Sequence, residues 1–231
     1  MMHAWKHVTA VFVALACSLV LSGWPATPGT LGTKTVDIDR QYSLDAVTIA
    51  KVTVAGQQIQ PGISGVRQEE SGTPFQADED WLKNMSISLL NRTDKVIVCA
   101  QVQLAFPDTG DGSPAQPITT YTITVGQRPE SSLHYADGSR IPPNASKKAL
   151  LLAPGQTLVI PVTDSIDAIQ SRIEETTLFS KVTRVNIRRY MLYFVDGMRW
   201  DSSGYQVPDS DHPGHYTRLA PTYFPGHLVQ N

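Results

Sequence analysis

Side chains able to do chemistry fall into four groups along this chain. Acids recur close together: Asp78, Glu79 and Asp80 in a row, then Asp108 and Asp111 beside Gly110 and Gly112, then Asp209 and Asp211. Calcium takes about six to eight oxygens, often from closely spaced Asp in a loop with Gly. None of the three runs completes a calcium loop, and solvated turn chemistry accounts for them as well. The second group is His212-Pro213-Gly214-His215, with Asp209, Asp211 and His227 nearby. Two imidazoles and a carboxylate suit zinc. Pro and Gly between them deny a helix that would align the pair, so a surface loop is expected and no metal or cofactor is assigned. The third group, His134, Asp137 and Ser139, lies in the long loop 107–148 and would suit a small hydrolase. No Gly-x-Ser-x-Gly elbow and no His-Glu-x-x-His occurs. No residue is therefore assigned as catalytic.

The fourth group is aromatic. Trp81 follows three acids, and Trp200 follows an Asp196-Gly197 turn. Tyr193, Tyr205, Tyr216 and Tyr223 gather towards the C-terminus. Trp81, Trp200 and Tyr205 are the candidate ligand-binding residues. The competing reading is core packing, because a sandwich needs large residues at strand ends and beneath loops.

Elements must hold these residues. Trp81–Phe106 reads as one long β-hairpin: Met85, Ile87 and Leu89 alternate with polar residues, Asn91–Asp94 supplies turn chemistry, and Val96, Val98, Ala100, Val102, Leu104 and Phe106 share the next face. Pro107 ends it. Ala46–Ala55 is a strand, 57–80 is irregular, and Ile118–Val125 is a strand inside the long loop. Ala149–Val162 reads as two short strands around Pro154-Gly155. Asp164–Phe179 is the helical candidate, with Ile166, Ile169 and Ile173 in one stripe. From Lys181 to Val195 the apolar parity switches near Arg188-Arg189, which calls for a β-bulge. Trp200–Val207 returns as a strand, and the chain trails off beyond it.

The 231 residues are 41% apolar and 17% charged, enough for one β domain with a leader and a tail. Residues 1–26 read as a signal peptide. Lys6 precedes the apolar run Val8–Leu21, whose helix would be about 21 Å long, short of a bilayer core. Small residues then follow at 22–26. Ser18–Leu21 continue the apolar run past Cys17, so Cys17 is expected to be discarded rather than lipidated. Removing 1–26 takes one lysine, so the net charge moves from −2 to −3. Nucleic acid is not an expected partner, and no membrane span is expected once the leader is cut. Cys99 is then the one cysteine left and is expected to be buried. Residues 27–44 read as a spacer, 45–216 as the domain and 217–231 as a tail.

Short strands, frequent turns and one helix indicate a mainly β fold, a single immunoglobulin-like β-sandwich. Asp80-Trp81-Leu82, Asn91-x-Thr93-Asp94-Lys95-x-Ile97, Leu104-x-Phe106-Pro107, Leu152-x-Pro154-Gly155-Gln156 and Phe194-x-Asp196-Gly197-x-x-Trp200 together resemble an uncharacterised family of exported bacterial proteins. The resemblance covers roughly 45–216 and implies a sandwich domain and a secreted address, with no activity attached. Met198 departs from it, standing where a small Thr is expected. The functional expectation is an exported, periplasmic or extracellular, non-catalytic binding or cell-envelope-associated module. Its partner would be an envelope protein or polysaccharide. The alternative is the small hydrolase with its site in loop 107–148.

Overall fold

Alternating apolar residues sort the chain into two β-sheets in the computed structural model, which describes residues 31–42, 44–64, 72–129, 133, 139 and 149–220. The leader at 1–26 and the tail from 221 lie outside the described residues. In chain order the strands are β1 (Gly32–Asp39), β2 (Val47–Val54), β3 (Gln57–Ile59), β4 (Gly62–Ser64), β5 (Phe75–Ala77), β6 (Met85–Asn91) and β7 (Ile97–Phe106). They continue as β8 (Thr119–Gly126), β9 (Thr157–Pro161), β10 (Arg184–Phe194), β11 (Arg199–Asp201), β12 (Gly204–Pro208) and β13 (Tyr216–Arg218). Between β9 and β10 stands α1 (Ile166–Glu174).

The smaller sheet runs β3-β2-β6-β9 and is antiparallel throughout. The larger is built on β10. One edge of β10 pairs along its length with β7, which carries β8 beyond it. The other edge is shared: β1 lies parallel to Arg184–Ile187, and β11 lies antiparallel to Met191–Tyr193. β12 and β13 extend from β11, while β4 and β5 attach to β1. Val36, Val102, Leu104, Ile187 and Phe194 of this sheet and Val52, Ile87, Leu89 and Ile160 of the smaller one share a single core. The protein is thus mainly β and sandwich-like, with one short helix among the described residues. Ile166, Ile169 and Ile173 of α1 enter the same core, as their spacing requires.

Several sequence expectations need correction. The central hairpin does not exist as a pair: β6 bonds to β2 and β9, and β7 to β10 and β8, so the turn at 92–96 is an arch from one sheet to the other. Buried Asn91 shapes that arch. Its Nδ2 donates to Lys95 O (2.8 Å) and Leu152 O (3.0 Å), while its Oδ1 accepts from Thr93 N–H and Oγ1–H. The Asn-x-Thr that suggested a hairpin therefore fastens a crossing, and residues 81–84 form a 3-10 turn rather than strand. The pairing of β7 with β10 skips Val98, so Ile97 points into the core and Val98 is only half-buried.

The spacer at 27–44 also gives way, since β1 takes up its middle and lies inside the larger sheet. Val36 and Ile38 supply its apolar face, and Lys34 reaches back to donate to Val182 O. The stretch 57–80 holds three short strands. Leu152 and β9 pair with β7 and β6 respectively, not with each other. The bulge in β10 is present, but its extra residue is Tyr190, which faces solvent. The domain runs past 216, because β13 pairs with β12 up to Arg218.

Candidate functional site

The turn Ser202-Ser203 folds β11 back on β12 and sets Trp200 opposite Tyr205. Both rings face inward. Tyr205 stacks on Phe194 with centroids 6.0 Å apart, and the Arg189 guanidinium lies 5.9 Å from the Trp200 ring. The connection from β1 to β2 and residues 219–220 roof this hairpin, leaving a cleft of about 240 Å³. Its walls include Tyr42, Leu44, Asp45, Trp200, Ser203 and Tyr205, with Arg218 at the border.

Asp45 locks roof to floor. Its Oδ2 accepts from Tyr42 N–H and pairs with buried Arg189, which also donates to Arg40 O (2.7 Å) and Val47 O (3.4 Å). The roof is thereby held while Tyr42 and Leu44 keep 59% and 46% of their surfaces in solvent. Arg40 packs its guanidinium 5.6 Å from the Tyr42 ring. Beside this pair, burial pushes the Asp39 carboxyl above its ordinary value. Arg188 and Arg189 pull it back, and Asp45 adds to the rise. The cleft thus combines two exposed apolar side chains, two aromatic rings, hydroxyls, a carboxylate and a guanidinium.

Of the three aromatic candidates, Trp200 and Tyr205 come together here, both 4% exposed and contributing to the floor. Trp81 does not. It is 1% exposed, donates Nε1–H to Val182 O at 3.1 Å and meets Phe75 edge-on. It is a core anchor, because the 3-10 turn rotates it under the sheet instead of leaving it at a strand end. Tyr42 and Leu44 were missed because they lie in the supposed spacer, and Asp45 because it stands at the very start of the expected domain. The signal that could have found the cleft was Ser-Ser-Gly between Trp200 and Tyr205, a turn flanked by aromatics.

The acidic runs serve turns and caps. Asp108 Oδ2 accepts from Thr183 N–H and Oγ1–H and from Arg184 N–H, fixing the start of β10. Asp78 accepts from Asp80 N–H, and Asp111 from Ser113 N–H. Asp209 accepts from Asp211 N–H and lies 3.0 Å from His212 Nδ1, interactions that hold its carboxyl below the ordinary value. His212 and His215 meet edge-on at 6.1 Å. Among the described residues no three His, Cys, Asp or Glu side chains converge as a metal site would require. Cys99 is buried. His134, Asp137 and His227 lie outside the described residues. A second, larger groove of about 530 Å³ runs between β8 and β9, walled by Thr, Val and Ile with Asp164 and Ser165 at one end.

Fold and cleft together define the class: a two-sheet, mainly β protein with an aromatic-floored cleft under the β1–β2 connection. No family model, curated protein or solved structure matches the chain. Among the described residues, no helix is long and apolar enough to cross a membrane.

Proposed function

We propose that this protein is an exported, non-catalytic binding module of the cell envelope that captures its partner at the β11–β12 cleft. The observation that carries the reading is the exposure of Tyr42 and Leu44 on a roof pinned to the core through Asp45 and Arg189. Exposed apolar side chains on a fixed support bind with little ordering cost. The serine hydroxyls and Arg218 beside them suit either an envelope protein or a polysaccharide. The test is capture from cell-envelope fractions by the protein and by a Tyr42→Ala/Leu44→Asp variant. Both substitutions are at exposed positions, so the fold should survive. A retained component that the variant loses supports the reading. Equal retention by both would move the site elsewhere, and no retention from any fraction would remove the binding role.

A further inference from the structure

We propose that the outer face of the larger sheet carries a second site, for an acidic polysaccharide, built on a row of arginines and tyrosines. Register places Tyr193 opposite Arg199, Arg199 opposite Gln206 and Gln206 opposite Arg218, one line across β10 to β13. Strand alternation sends this row away from the core, since Leu192, Phe194, Trp200 and Tyr205 point inward. Arg128, just past β8, sets its guanidinium 5.4 Å from the Tyr193 ring, and Arg199 sets its own 3.8 Å from the Tyr216 ring.

Stacking occupies the flat faces of a guanidinium and leaves its in-plane N–H groups for an oxyanion. It also holds a long arm in place, so less freedom is lost on binding. Arg199 donates Nε–H to Gln206 Oε1 at 2.8 Å and also hydrogen-bonds the Tyr193 side chain. Among the described residues Arg128, Arg199 and Arg218 have no carboxylate within ion-pair distance, whereas Arg172, Arg184, Arg188 and Arg189 each have one. Asp201, the acid on the same face of β11, is engaged by Gln206 Nε2 and by Ser203. Among the described residues these three arginines are thus not ion-paired, and Asp201 is a carboxylate that shares their face.

The spacing narrows the ligand. Arg199 and Arg218 stand two strands apart, about 10 Å, with the neutral Gln206 between them. A polymer whose carboxylates are separated by neutral, hydroxyl-bearing units fits this arrangement better than one charged at every unit. The site meets the cleft at Arg218, which borders both, while Arg128, Arg199 and Tyr193 do not line the cleft.

Titration of the purified protein with hyaluronate, in which a uronate alternates with a neutral sugar, tests the assignment against polyphosphate and neutral dextran. Expected are hyaluronate binding that weakens with salt, none to dextran, and at least a tenfold loss in Arg128→Ala/Arg199→Ala. Arg199→Lys, which keeps charge but not the planar fork, should lie between. Tyr42→Ala should bind hyaluronate unchanged, which separates this site from the cleft. Failure of hyaluronate to bind, equal binding by the folded double variant, or tighter binding of polyphosphate than of hyaluronate would overturn the proposal.

Discussion

Asp45 and Arg189 form an ion pair whose side chains are 13% and 6% exposed. Breaking such a pair strands the survivor without water. Asp45→Ala should therefore cost about 3–5 kcal/mol, read as a lower urea midpoint. Arg189→Met keeps the volume against Trp200 and leaves Asp45, the more exposed partner, with its bond from Tyr42. It should cost less than Asp45→Ala, and a larger loss from Arg189→Met would mean that the guanidinium's bonds to Arg40 O and Val47 O dominate. Asp39, beside this pair, makes stability depend on pH. Its carboxyl is raised above 3.8 chiefly by burial, so the folded state holds the proton more tightly than the unfolded one. That contribution is complete below the unfolded value and is lost as pH rises through the folded one. Asp39→Asn removes the dependence. The variant should gain on wild type in urea melts as pH rises from below 3.8 towards neutral, and a constant difference across that span would contradict the assignment.

Strands are legible from alternation because alternation reports which face is buried. It does not report which strand lies alongside. Hence β2, β8, α1 and the bulge of β10 could be read from their own residues, as could the burial of Leu104, Ile187, Leu192 and Phe194. The partner of β7 could not be read. Asn91-Arg92-Thr93-Asp94 satisfies the backbone of a tight turn and of an arch equally well, and only the contact of Asn91 with Leu152 distinguishes them. The short strands β3, β4 and β5 were hidden because three residues are too few to show a period. The cleft was half legible: its floor aromatics stand out, but its roof depends on β1 entering the sheet. The register of β7 is itself open to measurement. Leu104 is fully buried and Gln103 half-buried on the opposite face. Leu104→Ala should cost about 2–5 kcal/mol with the urea slope nearly unchanged. Gln103→Ala should cost much less, and equal losses would refute the register.

At the scale of the whole molecule, sequence-distant pairings hold the first described strand to the last long one. β1 gains a neighbour at β10 only when Arg184–Ile187 are present, and the Arg189–Arg40 bond spans 149 residues. Contacts of this range require loop closure before they reward the chain, which places folding in the slow class of about milliseconds to seconds. A chain ending at residue 183 lacks β10, the strand that joins β1, β7 and β11. It should show no near-UV signal and no slow amides in β1; protected β1 amides in that fragment would contradict this order.

The position of β1 also has a consequence in time. This strand can meet β4 and β5 early, but its long parallel neighbour β10 comes only when nearly all the rest has been made. A protein wired in this way cannot close its larger sheet until the last third of its chain has been made.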